Sequence, residues 1–451
     1  MFDSSDLINN PKFRIGILLL VLILVNINLH WGKNNWQVSL NSDGKGYYAY
    51  LPSFLVHNDF QFTTIDTSSN PLISKNINPE FRIAVDNKRI NKYTVGVAFC
   101  MMPFFLVAHS VSLLMNLPTD GYSYLYFISI NLASVFFTVL GLYATDKLLR
   151  GYNFSGGLIF LVLTAILFGS QLFCYSVAEP SMSHSYSFGL ISIFFYQSRQ
   201  FFIHPTKSAW FKAILLLAIV VLIRPINLLC ILFLPFLSGD TIQLKAAVRY
   251  LKKNAIVFLL SLLSFFIIVS IQLIIYKLQS GSYFVDTYPG EHFNWTNPHP
   301  LDLLFSYKKG LFLYTPIFLF SSIGFVSIYR INRYACVTLI CALLLQVYIF
   351  SSWWNWWYGY SFSSRPMTEY LSIVAILLSF GIDGIRSFGL KQVSKALVLC
   401  LILFTQIQIY QYRHFIIHPE KMDKTHYQRV FMRVDQLFAN ENANSDLLDE
   451  K

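Results

Sequence analysis

The stretch Ile15-Gly-Ile-Leu-Leu-Leu-Val-Leu-Ile-Leu-Val-Asn-Ile-Asn-Leu29 is almost wholly apolar, with Lys12 and Arg14 just ahead of it. No small-x-small cleavage pattern follows, so it reads as an uncleaved first membrane span and not as a removable leader. Runs long enough to cross a bilayer, about 17 to 25 residues each, recur near 14–30, 93–116, 122–144, 154–173, 184–202, 254–277, 310–329, 333–352, 366–382 and 394–412. The stretch 210–237 is too long for one simple span and is interrupted by Arg224-Pro225, which predicts two short helices or one kinked helix. The expected fold is all-α: a polytopic transmembrane helix bundle of about eleven spans with extracytoplasmic loops and juxtamembrane helices.

Composition agrees with that expectation. The 451 residues are 55% hydrophobic and only 13% charged, with a mean hydropathy of +0.50, where soluble domains carry about 25% charged residues. An aromatic share of 17% fits lipid-facing helices and interfacial girdles. The net charge of +11 is read as cytoplasmic loops attracted to anionic lipid, and nucleic acid is not an expected partner. The six cysteines fall in apolar segments without CxxC spacing and read as small buried hydrophobes, not as a disulfide framework or a zinc site.

Lysines and arginines orient the spans. Lys147 and Arg150, Lys245 to Lys253, Arg330 and Arg333, and Arg386 to Lys395 mark inside loops, which leaves 31–92, 174–184, 278–309 and 353–365 outside. Alternation from an outside 31–92 to an inside 145–153 needs an odd number of crossings, yet two apolar runs lie between them. Either 93–116, which holds Pro103 and His109, is re-entrant or lies along the outer leaflet, or the Lys147/Arg150 loop is mis-sided. Residues 1–412 are read as one transmembrane domain, with first extracytoplasmic loop 31–92, late extracytoplasmic loop 278–309, and a polar tail 413–451 outside. No extramembrane piece is long enough to be an enzyme domain, so any chemistry belongs to loops gathered at the membrane face.

Four polar clusters fall on the outer side. Asn41-Ser-Asp-Gly-Lys-Gly-Tyr-Tyr-Ala-Tyr-Leu-Pro-Ser53 places Asp43 beside Lys45, Tyr47 and Tyr48. Its glycines permit φ > 0 or a close approach to a ligand, and its tyrosines suit sugar rings; an interfacial aromatic belt with a solvated turn is the plainer alternative. The second cluster, 175–184, holds Glu179 and His184, for which helix punctuation and a structural histidine are the plain readings. Arg224 lies in an apolar stretch, where an arginine costs at least ~2.5 kcal/mol and is a functional candidate by default. The fourth cluster joins Lys308 and Lys309, two cations suited to a lipid phosphate, to Trp356, Tyr358 and Arg365 in an aromatic segment that is either an interfacial anchor or the wall of a carbohydrate site. The chain has no GxxxxGK[ST], HExxH, GxSxG or DxD, which argues against ATPases, zincins, serine hydrolases and cytosolic nucleotide-sugar transferases.

The order of these clusters resembles the GT-C superfamily of integral-membrane glycosyltransferases, which includes protein O-mannosyltransferases, oligosaccharyltransferase catalytic subunits and the aminoarabinose transferase of lipid A. The closest likeness is to bacterial members with D-G-x-G-Y-Y-x-Y-L-P, E-P-x-M-S-H, R-P-x-N, K-G-L-F-x-Y-T-P and W-W-x-W-W-Y-G-x-S-F-x-x-R-P segments, here Asp43–Pro52, Glu179–His184, Arg224–Asn227, Lys309–Pro316 and Trp353–Pro366. The resemblance implies a catalytic acid in the first outer loop, carried onto Asp43, and a second acidic loop, carried onto Glu179. It implies transfer of a sugar from a polyprenyl-phosphate donor to a glycan, lipid or protein acceptor outside the bacterial inner membrane, as in building a cell-envelope glycan. Asp43 would be the general base; Arg224, Lys308, Lys309 and Arg365 would face the leaving phosphate; Glu179 and His184 would orient the acceptor or a divalent ion. Two departures leave metal use open: a single acid where several relatives have a pair, and Glu-Pro in place of an Asp motif. A Mg or Mn ion, if used, would fall to Asp43 and Glu179. A lipid-linked glycan ligase or polymerase and a lipid or glycan flippase are the alternative readings, with a membrane scaffold behind them.

Overall fold

The computed structural model describes residues 4–31, 35–67, 73, 80–85 and 87–433. Parts of the expected 31–92 loop and the tail 434–451 lie outside the described residues. The protein is mostly helical, with a single two-stranded hairpin among the described residues, Arg82–Val85 paired antiparallel with Lys88–Asn91. Seven described helices are long and apolar enough to cross a membrane: Pro11–Trp31, Gly96–Leu114, Tyr124–Arg150, Ala255–Ser280, Arg333–Ser351, Arg365–Asp383 and Phe388–Arg413. Counting the bent pair Pro225–Ser238 and Thr241–Lys253 as one span gives eight. The chain is a multi-pass membrane protein.

It divides into two compact units, one of Asn10–Leu148 and Tyr175–Glu291, the other of Met1–Asn9, Leu149–Cys174 and His292–Lys451. In the first unit, the opening helix begins where Asn10 accepts the Lys12 amide at 2.9 Å and Pro11 occupies a position with no amide to satisfy. Arg14, read above as a flanking charge, is fully buried against Asp146 near the end of Tyr124–Arg150. At the other end of this helix pair the Tyr124 hydroxyl donates to the Trp31 carbonyl at 2.9 Å. The chain thus leaves one helix and enters the other at the same end, with Gly96–Leu114 between them in the sequence. That helix is continuous, with Pro103 inside it.

Two further helices explain the gap between eleven expected spans and seven or eight. Ser183–Ile203 has 21 residues but carries five serines and Arg199, too polar for a hydropathy test. Two of its serines make interhelical contacts: Ser185 takes the Ser134 hydroxyl at 2.9 Å, and Ser187 takes the Asn227 amide at 2.9 Å. The 210–237 stretch is broken where expected. Lys207–Ile223 stops at Arg224, held extended at φ −154 and ψ 123 by the following Pro225, and a 3-10 segment continues to Phe233.

In the second unit the expected span 310–329 is three short pieces, Leu311–Tyr314, Ile317–Ser321 and Gly324–Ile331, interrupted first at Thr315-Pro316. The first half of the expected tail is not a free polar segment. Its helix Lys424–Val430 buries Tyr427 against Tyr307 and Tyr314, and Gln411 donates to the Val430 carbonyl at 2.7 Å. Cys341 and Cys400 are exposed, contrary to the buried reading of all six cysteines, because an apolar neighbourhood on a membrane helix also describes its lipid face.

Candidate functional site

The helix Gly44–Leu51 begins from a turn in which Ser42 sits at φ +47. Asp43 precedes its first residue, and its carbonyl accepts the Gly46 and Tyr47 amides at 3.1 and 3.2 Å. The half-buried carboxylate does not cap its own helix; Oδ1 accepts the Tyr93 hydroxyl at 2.8 Å. Tyr93 is itself fixed from three directions. Its amide donates to Asn91, the Asn91 side chain donates to the Gly46 carbonyl at 2.7 Å, and the Tyr50 hydroxyl donates to the Tyr93 carbonyl at 2.6 Å.

Burial first, and then the Asp43 charge, hold the Tyr93 phenol well above the ordinary tyrosine range, so it stays a donor at neutral pH. Tyr288 is raised by burial, then by Tyr47 and Asp43, with Arg224 opposing. The Tyr47 ring lies 4.8 Å from Tyr93, and the Lys92 ammonium stands 5.2 Å from the Tyr93 ring centre and 5.6 Å from that of Tyr288. Arg224 is brought to this group because Thr94, next to Tyr93, donates to the Ile223 carbonyl at 2.6 Å. Lys45 is half-buried, and burial lowers its ammonium below the usual lysine range.

The 175–184 segment is buried in the same unit. Glu179 is 8% exposed and His184 1% exposed, with the His184 ring 4.6 Å from Tyr175. The Tyr186 hydroxyl holds the Pro180 carbonyl at 3.0 Å. The glycines flanking Lys45 take helical conformations, not φ > 0, and protein, not ligand, approaches them. A Cβ on Gly44 would lie 2.0 Å from Ser181 Oγ, and one on Gly46 would lie 2.3 Å from the Tyr93 ring. Gly44→Ala, which improves helix propensity, is therefore expected to destabilise the protein by about 1–3 kcal/mol through overpacking. Thermal melts in detergent should show Gly44→Ala/Ser181→Gly recovering the loss; a Gly44→Ala melt at or above the parent would contradict this packing.

Tyr48 is not in the site. Residues one apart on a helix point about 100° from each other, and Tyr48 is turned into the core, its hydroxyl donating to the Gly121 carbonyl. The residues that sequence reading missed are Tyr93, Tyr288 and Lys92. The only signal for Lys92 and Tyr288 was basic and aromatic composition in loops expected on the outer side, and Tyr93 opened the apolar run 93–116.

In the other unit, Lys309 is 3% exposed and its ammonium donates to the Ser361 and Pro419 carbonyls, which ties the late aromatic loop to the tail. Lys308 lies 3.4 Å over the Trp357 ring, its ammonium lowered by burial against a smaller opposing effect of Glu420. Trp356 stacks on His299 at 6.0 Å. Tyr358, at φ +58, donates its hydroxyl to the Phe350 carbonyl at 3.0 Å, and Arg365 is half-buried before Leu371–Asp383. His418 accepts the Glu420 and Lys421 amides on Nδ1, and burial, then Lys421, hold its pKa down, as befits a neutral acceptor.

Among the described residues, no three His, Cys, Asp or Glu side chains are grouped to hold a metal ion. Asp43, Lys45, Tyr47, Glu179, His184 and Arg224 belong to one unit; Lys308, Lys309, Trp356, Tyr358 and Arg365 belong to the other. Compared with known proteins, the chain matches no family model and no curated protein.

Proposed function

We propose that this protein is a GT-C-type membrane glycosyltransferase that moves a sugar from a polyprenyl-phosphate donor to an acceptor hydroxyl on the extracytoplasmic face. The observation that carries the reading is the Asp43 carboxylate, held on one oxygen by Tyr93 and walled by Tyr47 and Tyr93, with the cation Lys92 above Tyr93. In an inverting transfer, Asp43 takes the acceptor proton as the acceptor oxygen bonds to the anomeric carbon. The bond from that carbon to the phosphate oxygen breaks, and its electron pair leaves with the phosphate. Lys92, Lys45 and Arg224 are suited to stabilising that departing charge.

Sidedness follows from length and charge. Ser183–Ile203 begins two residues after Ser181, the neighbour of Gly44, and its 21 residues run about 30 Å, the thickness of a bilayer core. At its far end Phe201 meets Tyr250 of the basic helix Thr241–Lys253, which the positive-inside rule assigns to the cytoplasm, leaving Asp43 outside. With Ser183–Ile203, the two halves around Arg224 and the short apolar helices taken as passages and Gly96–Leu114 as none, this reading has the chain cross about eleven times, by a different set of segments from the one expected. Mass spectrometry of lipids co-purifying with the protein tests the donor class. A polyprenyl phosphate is expected; bulk phospholipid alone, with no binding of an added polyprenyl-phosphate sugar, would overturn the reading.

A further inference from the structure

At the end of Ser183–Ile203 remote from Asp43, the helix Thr241–Lys253 is set at 118° to the Pro225–Ser238 segment before it. The turn is made at Gly239, at φ +84, and the new helix is capped by Asp240, whose carboxylate accepts the Gln243 amide at 2.7 Å. Ala247 is buried and Tyr250 packs on Phe201, so one face is seated on the protein. The opposite face exposes Lys245, Arg249, Lys252 and Lys253. Between the two faces runs an apolar edge of Leu244 and Val248, the latter 46% exposed. Leu244, Lys245, Val248 and Arg249, at helical spacings of one and four, together line a shallow open cavity of about 310 Å³.

We infer that this surface binds one anionic phospholipid, the start of its acyl chain lying in the apolar cavity along Leu244 and Val248 and its phosphate held between the exposed charged ends of Lys245 and Arg249. Three observations carry the assignment. Like charges four apart on a helix repel each other, and an anion between them removes that repulsion. The one acid from Gly239 to Lys253 is Asp240, which caps the helix, and no carboxylate among the described residues pairs with Lys245 or Arg249. An apolar edge beside a cationic stripe is the surface that a membrane interface presents in reverse, with acyl chains below and phosphates above. The guanidinium of Arg249 can hold two phosphate oxygens at once, and the ammonium of Lys245 supplies a point charge beside it. The inference is independent of the glycosyltransferase reading.

The test is native mass spectrometry of the full-length protein in detergent, titrated with phosphatidylglycerol or phosphatidylcholine. Phosphatidylglycerol is expected to be retained preferentially. Since each cation contributes about 1 kcal/mol, close to five-fold, K245Q/R249Q should lower that retention by about twenty-five-fold with an unchanged thermal melt, since both side chains are exposed. Phosphatidylcholine retention should not change. K207Q/K212Q, which removes two exposed cations at the same end of the unit, serves as the control. Equal phosphatidylglycerol retention in the parent and K245Q/R249Q would overturn the site, as would an equal loss in K207Q/K212Q, which would reduce the effect to general surface charge.

Discussion

Replacing Asp43 by asparagine is expected to slow sugar transfer by about 10²- to 10⁴-fold, the usual contribution of a general base, with expression, thermal stability and donor binding at the parent level. The expectation of a normal fold rests on what surrounds the side chain. Asparagine retains the oxygen that accepts the Tyr93 hydroxyl, and the backbone carbonyl that starts the helix Gly44–Leu51 is unaltered. What is lost is the negative charge and with it the ability to take a proton. Tyr93→Phe is the companion variant: it keeps the ring beside Tyr47 but removes a hydrogen bond to a charged group, and transfer should fall by about ten-fold or more. The pH profile should share this asymmetry. A carboxylate base must be ionised, so the rate falls as pH drops through the carboxylate range, whereas the raised Tyr93 phenol contributes no loss near neutrality. A transfer assay with purified lipid-linked donor reads all three. Transfer by the asparagine variant at close to the parent rate would make Asp43 a helix-start residue and move the base to Glu179.

The largest expected effect on stability belongs to Arg14. Both partners of the Arg14–Asp146 pair are wholly inaccessible, and Arg14 Nε donates to Asp146 Oδ2 at 2.9 Å alongside a second contact from Nη2. Each charge also sits at the unfavourable end of its own helix dipole, arginine near an N-terminus and aspartate near a C-terminus, so each depends on the other. Arg14→Met leaves a buried carboxylate without its main counter-charge and should cost about 3–5 kcal/mol, seen as a large drop in the detergent melting temperature and in membrane yield. Arg14→Met/Asp146→Leu removes both charges and should recover most of the loss, since a buried pair replaced by apolar groups is often neutral. A double variant no better than the single one would show that the ion pair itself, and not the orphaned charge, holds the two helices.

The residues differ in how far they could be understood without the fold. The apolar run from Ile15 and the interruption at Arg224-Pro225 are local properties. Hydropathy over twenty residues sets whether a segment prefers lipid, and a proline fixes its own φ and biases its predecessor toward extended backbone. The serine-rich helix Ser183–Ile203 shows the limit of that logic, because Ser185 and Ser187 are met by Ser134 and Asn227 from distant segments. The site divides in the same way. Asp43 is conspicuous as a lone acid between an apolar run and three tyrosines, but its partner Tyr93 lies fifty residues on, and nothing near either residue announces the bond. Lys308 and Lys309 are equivalent in sequence, yet one ammonium lies over Trp357 and the other is enclosed by two carbonyls. Tyr47 and Tyr48 likewise part company, one beside Tyr93 and one in the core. The sequence by itself determined that the chain lives in a membrane and that its longest apolar stretch breaks at Arg224-Pro225. Only the tertiary structure decided which charges are paired, which tyrosines surround the acid and which glycines admit close packing, because those choices depend on contacts between distant segments that no local pattern encodes.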